Sequence, residues 1–447
     1  MNWFHDNQHK QFGILGLGLS GQSCLRFLLA QNIEPDVFDT RENLANLDEI
    51  YQQLNQERVH LGELDFNTLS KLDYLVMSPG LDPRGPIFDK LLANGVQLIN
   101  EIELFAHACD KQIIAITGSN GKSTVTSLLG HVFEQAHQSA AIGGNIGIPA
   151  LTLLLDKPDA DFYVLELSSF QLEFCPSFRA NVSLLLNISE DHLDRYTDIA
   201  EYALVKRRIF NGADLIVYNR DDDSTFPVKD ELAKDYKQAT HFGLSSAEGA
   251  DWYIVSQQAI SKSGVNYSLS QTSLVGKHNQ ANMLAVLAVA DFYQLEQQSV
   301  EHALTNYQGL AHRCQLVSRK LDCLWIDDSK ATNVGATLAA LQGLAENKNI
   351  ILLAGGVGKG ADFTPLQPAF EKSVKQLITF GRDGGQIANL IDGAIEVDGL
   401  ETAVKIAKGH IVPGDIVLLS PACASLDMFK NFEQRGLAFQ HAVEALS

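Results

Sequence analysis

Ile113–Ala136 reads IIAITGSNGKSTVTSLLGHVFEQA, which is an aliphatic run, a glycine-rich turn and an amphipathic stretch. The aliphatic run predicts a buried strand, and Val125–Ala136 predicts a helix. Backbone N–H groups in such a turn surround phosphate oxygens, Lys122 adds a positive charge, and the hydroxyl of Ser123 can reach Mg²⁺. The segment therefore predicts an α/β sheet with an ATP site at the end of one strand.

This turn differs from the common phosphate-binding loop, which has a glycine five positions before the glycine of its Gly-Lys pair. Ile116 occupies that position, and Gly118 lies three residues before Gly121, so the loop is shorter by two residues. A chance Gly-Lys-Ser sequence would be a plain surface turn. The strand before it and the helix after it favour phosphate binding.

The same alternation of short aliphatic runs and longer amphipathic stretches continues along most of the chain and predicts repeated βαβ units. The fold class is therefore α/β with three domains: a Rossmann-like domain at 1–100, a central P-loop NTPase-like parallel-sheet domain at 101–309, and a Rossmann-like domain at 310–447. Within the central domain, Asp221–Asn266 is polar and irregular, which suggests a small antiparallel excursion. Ten strands are predicted, at 12–15, 74–77, 113–117, 163–167, 183–188, 215–218, 324–327, 350–353, 377–380 and 416–419.

Composition narrows the classes of function. The 447 residues carry a formal charge of −20, which disfavours binding to nucleic acid or to an anionic membrane surface. No apolar run approaches the length of a membrane span, and the N-terminus lacks the pattern of a signal peptide. Six cysteines without Cys-x-x-Cys spacing fit reduced thiols. We expect a cytoplasmic, monomeric protein whose partners are small molecules.

A second glycine-rich turn, Gly16-Leu17-Gly18-Leu19-Ser20-Gly21, follows the predicted strand FGIL and precedes a helical run. Its glycines permit a tight turn, a close approach of backbone to a diphosphate, and packing of helix on strand. Asp39 follows the next strand, where an acidic residue commonly meets a ribose. These features favour a nucleotide diphosphate over a purely structural turn. They do not separate NAD, FAD and a nucleotide-sugar.

Metal ligands are expected where parallel strands end. Glu166 ends the predicted strand FYVLEL, where the acidic Mg²⁺ ligand of a P-loop protein lies. His192 lies in the acidic segment after the following strand, and the residues alone favour a ligand and a structural histidine about equally.

Several segments, in order along nearly the whole chain, resemble the Mur ligase family, which assembles the peptide of bacterial cell-wall precursors. The resemblance lies in TGSNGKST (117–124), LELSSFQL (165–172), NISEDHLDRY (187–196), Gly276–Ala285, GLAHR (309–313) and DSKATN (328–333). Three segments, the first of which extends DSKATN by one residue, are similar to the D-glutamate-adding members: DDSKATN (327–333), GGVGKGADF (355–363) and SPACASLDMFKNFEQRG (420–436). The DNPR signature of the diaminopimelate-adding members is absent.

The resemblance implies an ATP-dependent ligase that adds D-glutamate to UDP-N-acetylmuramoyl-L-alanine through an acyl phosphate. Under this resemblance, the glycine-rich turn of the first domain binds UDP rather than NAD. The residues implied for the UDP-linked substrate are Leu19, Ser20, Gly21, Asp39, Thr40, Arg41, Asn145 and Ser168. Those implied for D-glutamate are Thr332, Lys359, Ser425, Leu426 and Phe432.

The resemblance also implies ATP, two Mg²⁺ ions, and carbamoylation of Lys206, which the residues alone would place on a solvated helix face. The implied metal ligands are Ser123, Glu166, His192 and carbamoylated Lys206. Lys122, Glu166, His192 and Lys206 form the expected catalytic set. The implied ATP site comprises Gly118, Ser119, Asn120, Gly121, Lys122, Ser123, Thr124, Asn279, Asn282, Arg313 and Asp328, with His312 and Arg313 marking a hinge.

Two alternatives remain open at this point. One is another amide ligase of the same superfamily, such as a different Mur ligase or a folylpolyglutamate synthase. The other is a Rossmann dehydrogenase or a nucleotide-sugar sensor with a regulatory P-loop.

Overall fold

A computed structural model describes residues 3–44, 46–189, 191, 195–227, 235–244, 249–345 and 347–446. The strands are β1 (Phe12–Leu15), β2 (Asp36–Asp39), β3 (Val59–Leu61), β4 (Tyr74–Met77), β5 (Gln97–Ile99), β6 (Gln112–Thr117), β7 (Ala140–Gly144), β8 (Phe162–Glu166), β9 (Val182–Leu185), β10 (Leu215–Asn219), β11 (Gln238–Phe242), β12 (Trp252–Val255), β13 (Gln258–Ser261), β14 (Asn266–Ser268), β15 (Gln315–Ser318), β16 (Leu324–Asp327), β17 (Ile350–Gly355), β18 (Val374–Phe380), β19 (Ile395–Glu396) and β20 (Ile416–Leu419).

The α-helices are α1 (Trp3–Asp6), α2 (Leu19–Ala30), α3 (Leu47–Tyr51), α4 (Phe66–Leu69), α5 (Pro86–Ala93), α6 (Glu101–Ala108), α7 (Lys122–Gln135), α8 (Ala150–Asp156), α9 (Ser169–Glu173), α10 (Ile199–Arg207), α11 (Lys277–Phe292), α12 (Gln297–Asn306), α13 (Val334–Leu344), α14 (Gln367–Ser373), α15 (Gly384–Ala388), α16 (Leu400–His410) and α17 (Phe432–Glu444). No helix in the described part of the chain has both the length and the apolar character that crossing a membrane requires.

The chain divides into two compact units. The first comprises Met1–Tyr253, Ser261–Ser263 and Ala285–Val300, and the second comprises Ile254–Ile260, Gly264–Leu284 and Glu301–Ser447. Each unit buries its own apolar side chains.

The first unit contains two parallel sheets. In one, the strand order is β3-β2-β1-β4-β5, so the order reverses direction beside β1. In the other, the order within this unit is β12-β11-β10-β9-β6-β8-β7. Strand β6 thus lies between β9 and β8, and the chain segments that follow these three strands emerge at the same edge. Open α/β sheets bind ligands at such edges.

The sheet of the second unit has the order β15-β16-β20-β17-β18-β19. All of its neighbouring strands are parallel except β15, which runs antiparallel to β16. Strands β17 and β20 are buried along their full length, as expected for a sheet with helices on both faces.

The α/β prediction is confirmed, and each of the ten predicted strands overlaps an observed strand, whereas the other ten observed strands were not predicted. Four strands have the predicted limits: β1, β4, β16 and β20. The prediction of an antiparallel excursion at 221–266 was wrong in part, because β11 pairs parallel with β10 and β12 with β11. The hairpin of β13 and β14 is antiparallel, as predicted. Helix α7 begins at Lys122, earlier than the predicted Val125, because the turn leads directly into the helix.

Gly21 provides a test of the first glycine-rich turn. A Cβ atom at position 21 would overlap the carbonyl oxygen of Gly16, whereas a Cβ at Gly18 would meet no atom within 4 Å. We expect Gly21→Ala to destabilise the first unit by about 1–3 kcal/mol, because backbone cannot move aside as a flexible side chain can. Gly18→Ala is the matched control, with an expected change of about 0.5 kcal/mol or less. Equal thermal unfolding midpoints for the two variants would contradict this packing role.

Candidate active site

The turn between β6 and α7 is hydrogen-bonded to the segment that follows β9. The N–H of Ser119 donates to the carbonyl of Asn187 at 2.9 Å, and the N–H of Asn120 donates to Oδ1 of Asn187 at 2.8 Å. Gly121 precedes α7 with φ of +84°, in the left-handed region that favours glycine. The first N–H groups of α7 have no intrahelical acceptor and can therefore bind an anion.

Glu166 lies beside this turn because β8 neighbours β6 and Glu166 is its last residue. Its carboxylate is 3% exposed. Oε2 accepts a hydrogen bond from Oγ of Ser123 at 2.7 Å, and Oε1 accepts one from Nδ2 of Asn145 at 3.0 Å. The structure thus brings together three residues that the sequence assigned to the metal and to the muramoyl substrate.

Two lysines converge on the same turn. Nζ of Lys122 donates to the carbonyls of Gly118 and Ser119 at 2.9 and 2.8 Å. Nζ of Lys206, on α10, also donates to the carbonyl of Gly118, at 3.0 Å, and to Oγ1 of Thr117 at 3.3 Å. Lys122 therefore lies over the turn and Lys206 lies against the end of β6.

Lys206 is 1% exposed, so the interpretation of its position from the residues alone as a solvated helix face was wrong. Burial lowers the pKa of Lys206 well below its usual range, and the charge of Lys122 acts in the same direction. Asp191 and Glu166 oppose this shift. Nζ of Lys206 also lies 4.7 Å from the centroid of the Tyr202 ring. The environment thus favours a neutral amine at Lys206.

His192, the other predicted ligand of a second metal ion, lies outside the described residues. Within the described part of the chain, no three His, Cys, Asp or Glu side chains are grouped so that they could hold a metal ion. The prediction of two ions therefore stays a prediction.

The first glycine-rich turn borders a cavity of about 610 Å³. It lies at the edge where the strand order of the first sheet reverses, which is where a doubly wound sheet binds its ligand. Its lining includes five of the residues predicted for the UDP-linked substrate: Leu19, Ser20, Asp39, Thr40 and Arg41. Gly16, Gly18 and the segment Ser78–Leu81 complete the lining.

Asp39 is 3% exposed and is engaged by the protein itself. Oδ2 accepts the N–H of Leu17 at 2.8 Å, and both carboxylate oxygens accept hydrogen bonds from the guanidinium of Arg41. The Arg41 side chain is the main reason that the pKa of Asp39 falls to about 2. Asp39 therefore shapes the turn and orients Arg41, in addition to any contact with a ribose.

Ser168 has a helix-capping role that the sequence analysis did not predict. Its hydroxyl accepts the N–H of Gln171, and the side chain of Gln171 accepts the N–H of Ser168, which forms a capping box at the start of α9. A contact of Ser168 with the muramoyl substrate remains a prediction.

In the second unit, the residues predicted for D-glutamate lie on segments that follow β16, β17 and β20 or begin α17. Ser425 is buried, whereas Leu426 and Lys359 are exposed. Thr332 and Phe432 are half-buried. Lys330 joins two of these segments, since its Nζ lies 3.9 Å from the centroid of the Phe432 ring.

The remaining predicted ATP residues also lie in the second unit. Nδ2 of Asn282 donates to Oδ1 of Asn279 at 3.2 Å, and both asparagines are buried at the start of α11. Asp328 accepts hydrogen bonds from Ser420 Oγ and the N–H of Cys314, yet burial raises its pKa to about 7. Arg313 is exposed.

His312, named above as a hinge residue, has φ of +61°, and its Nδ1 lies 2.7 Å from Oδ2 of Asp327, which accepts a hydrogen bond from the ring. This contact fixes its ring against a carboxylate at the end of β16.

Arg435, which sequence reasoning missed, joins the segments around the predicted D-glutamate residues. It is 1% exposed and donates to the carbonyl and the hydroxyl of Ser329 and to the carbonyl of Cys423. The only signal in the sequence was its position within SPACASLDMFKNFEQRG. A buried guanidinium with backbone acceptors cannot be recognised from composition or spacing.

Three family models match the chain in sequence order. They are described as "Mur ligase MurD-like, N-terminal domain", "Mur ligase middle domain" and "Mur ligase, glutamate ligase domain", and they match residues 10–100, 116–290 and 312–423. Together they span most of the chain.

Curated relatives are similar over nearly their whole length. The chain is 43% identical over 446 residues to the UDP-N-acetylmuramoylalanine--D-glutamate ligase of Pectobacterium atrosepticum, covering 99% of each chain. It is 42% identical over 437 residues to the ligase of the same name from Shewanella oneidensis, covering 97% of this chain and 98% of that one.

Solved structures share the fold. The UDP-N-acetylmuramate-alanine ligase of Thermotoga maritima aligns with a TM-score of 0.56 at 17% identity, over 98% of this chain and 100% of that one. A pseudomurein peptide ligase type C from Methanothermus fervidus aligns with a TM-score of 0.57 at 16% identity and the same coverage.

Proposed function

The chain belongs to the Mur ligase family, and we propose on that premise that it joins D-glutamate to UDP-N-acetylmuramoyl-L-alanine with ATP. The product is a precursor of the peptidoglycan peptide. The curated relatives that align with nearly the whole chain carry the name of this ligase. ATP and a UDP-linked sugar are metabolites of the cytoplasm, where the proposal places the reaction.

The observation that carries the proposal is the group formed by Lys122, Ser123 and Glu166 at the shared edge of β6 and β8. A phosphate-binding turn with a lysine and a buried carboxylate beside it can hold a triphosphate with its γ-phosphate accessible. The carboxylate of the UDP-linked substrate attacks that phosphorus, ADP leaves, and an acyl phosphate forms. Because both reactants are anions, positive charge and positioning supply most of the rate enhancement.

Magnesium fits the residues present. Oγ of Ser123 and Oε2 of Glu166 are two oxygen donors 2.7 Å apart in a buried position, and Mg²⁺ prefers oxygen donors. When bound there, Mg²⁺ would neutralise the phosphate oxygens that approach the substrate carboxylate. Asn145 orients Glu166 through Oε1 and lies on the turn that we assign to the muramoyl substrate.

We assign Lys206 a carbamate. The neutral amine attacks CO₂, a C–N bond forms, and a proton leaves, so the product is an anionic carbamate able to bind a metal ion. The buried position of Lys206 supports this step, because only the neutral amine is a nucleophile and burial favours that form. With His192, this carbamate would hold a second metal ion.

The second half of the reaction uses D-glutamate. Its amine attacks the carbonyl carbon of the acyl phosphate, a tetrahedral intermediate forms, phosphate leaves, and the amine loses a proton. Lys359, Ser425 and Thr332 suit an amino acid with two carboxylates, since a cation and hydroxyls are good donors to them. Phe432 and Leu426 supply the apolar wall. We place the functional boundaries of the three domains at 1–100, 101–309 and 310–447.

Phosphate release from ATP tests the proposal directly. We expect release with the full chain, Mg²⁺, UDP-N-acetylmuramoyl-L-alanine and D-glutamate, and at least about 100-fold less with L-glutamate, because a chiral pocket misplaces the reacting amine. A panel of other amino acids separates this ligase from its relatives. Turnover with another amino acid in preference, or a nicotinamide absorbance change without phosphate release, would contradict the assignment.

A further inference from the structure

Glu101 is a buried acid that the reaction described above does not use. It is the first residue of α6, the helix that follows the first sheet, and it is 1% exposed. The preceding Asn100 caps α6 and fixes its start, because its Oδ1 accepts the N–H groups of Ile102 and Glu103. The position of the Glu101 side chain is therefore well defined by the fold.

One carboxylate oxygen of Glu101 joins two other helices. Oε1 accepts a hydrogen bond from Oγ of Ser23 on α2 at 3.1 Å and from the N–H of Leu151 on α8 at 3.0 Å. Thr152 extends the connection, since its Oγ1 donates to Oγ of Ser23 at 2.8 Å. Oε2 is enclosed and makes no hydrogen bond of good geometry in the described part of the chain, although the hydroxyl of Ser20 and the N–H of Ala150 are near enough to favour the charged form of the carboxyl.

Both helices begin next to segments that we assign to the UDP-linked substrate. Helix α2 carries Leu19, Ser20 and Gly21 in its first turn. Helix α8 follows the turn of Asn145, where the N–H of Gly144 donates to the carbonyl of Ile148. Glu101 therefore lies between the helix that starts at the diphosphate site and the helix that starts at the muramoyl site.

Among the described residues, no cationic side chain forms an ion pair with Glu101. Helices α1, α2, α8 and α9 pack against α6. Most titratable groups on these five helices form ion pairs elsewhere: Arg26 of α2 with Asp156 of α8, His107 with Glu103 on α6, and Glu173 of α9 with Arg195. The others are Cys24 on α2 and His5 and Asp6 on α1. In the described part of the chain none of them forms an ion pair with Glu101. Burial is the larger effect and raises the pKa of Glu101 to about 7, although Ser23 and the N–H of Leu151 favour its charged form.

We propose that Glu101 is a positioning residue for the UDP-linked substrate, which joins α2 to α8 through Oε1 and opposes the bound diphosphate when it is ionised. A negative charge beside the first turns of α2 reduces the positive potential that the N-terminus of this helix offers to a diphosphate. Substrate binding and proton binding are then linked, so each favours the other. This inference rests on the proposed function.

The test is the KM for UDP-N-acetylmuramoyl-L-alanine between pH 5.5 and 8.5, with the KM for ATP measured in parallel. In the wild type we expect the KM for the UDP-linked substrate to rise about fivefold to tenfold across neutral pH, as one unit charge nearby implies. Glu101→Gln keeps the shape and removes the charge, so its KM should vary less than about twofold. The KM for ATP should show no such difference between the two proteins.

Two further variants test whether the pH dependence of KM comes from Glu101. Glu49→Gln makes the same chemical change at an exposed carboxylate that lines the cavity beside Ser23 and Thr152, and it should keep the wild-type profile. Ser23→Ala removes a hydrogen bond that favours the charged form of Glu101, so it should move the rise in KM to higher pH. A Glu101→Gln profile equal to that of the wild type would overturn the inference.

Two readouts do not depend on turnover. Calorimetric titration with UDP-N-acetylmuramoyl-L-alanine at pH 7, in buffers of different ionisation enthalpy, should show uptake of up to about half a proton by the wild type and none by Glu101→Gln. The raised pKa of Glu101 also means that its contribution to stability is fully present below pH 4.5 and is lost as pH rises to about 7. As pH rises through this range, the unfolding midpoint of the wild type should therefore fall relative to that of Glu101→Gln.

These outcomes separate the inference from the proposed function. If wild-type protein releases no phosphate with the three substrates, the proposed function fails. If it turns over and its KM for the UDP-linked substrate is independent of pH, the role of Glu101 fails alone.

Discussion

Replacing Lys122 with alanine is expected to lower phosphate release about 10³-fold, or about 4 kcal/mol in activation free energy. Nζ of Lys122 lies within 2.9 Å of the carbonyls of Gly118 and Ser119, directly over the turn. From there it can reach the β- and γ-phosphates, whose charge opposes attack by a carboxylate. Initial rates with saturating substrates, together with the KM for ATP, measure the loss.

Lys111→Ala provides the matched control for this prediction. Lys111 is an exposed lysine that precedes β6, at the end of the strand opposite the turn, so its removal changes the net charge equally. We expect a rate within about twofold of the wild type, as for most surface substitutions. If Lys122→Ala keeps a tenth of the wild-type rate, the assignment of this turn to the triphosphate is wrong.

Replacing Lys206 with alanine is expected to lower the rate about 10²–10³-fold, because an anionic metal ligand is lost from the site. The substitution also removes a buried side chain beside Thr117 and Gly118 and so leaves space for a small carboxylate. Acetate or formate at millimolar concentration should restore part of the activity, since either one supplies the missing negative charge. Phosphate release at increasing acetate concentration measures the rescue.

Lys206→Met separates the chemistry of the carbamate from the space that the side chain fills. Methionine has nearly the length of lysine, fills the buried position and cannot be carbamoylated, so we expect low activity that acetate does not rescue. Removing CO₂ from the assay should slow the wild-type enzyme and leave both variants unchanged. A Lys206→Met enzyme with wild-type activity would contradict the carbamate.

The local sequence predicted the parts of the site that lie next to strand ends. Glu166 was assigned to the sheet edge because it ends an aliphatic run, and its carboxylate does accept a hydrogen bond from Ser123. The glycine-rich turns were recognised for the same reason, since strand, turn and helix are consecutive in the chain. Such features are short-range and depend on residue type and spacing.

Long-range burial was not predictable in this way. Lys206 lies on a helix whose sequence is typical of a solvated surface, and only the packing of α10 on the end of β6 places its amine against Gly118. Glu101 carries no motif at all. Its raised pKa arises because α2, α6 and α8 exclude water from one carboxylate without supplying a cation.

Asp39 shows how an assignment from a motif can be incomplete. The distance from the glycine-rich turn predicted an acidic residue near a ribose. In the structure both carboxylate oxygens accept hydrogen bonds from the turn and from Arg41. The sequence gives the position of such an acid along the chain, whereas its partners depend on the conformation of the whole turn.

The sequence by itself determined the α/β class, the order of the family segments and the positions of the two glycine-rich turns, because these depend on residues close together in the chain. Only the tertiary structure decided which side chains lose water, and hence which amine and which acids have shifted pKa values. The physical reason is that desolvation depends on atoms contributed by distant segments, which periodicity and spacing do not encode.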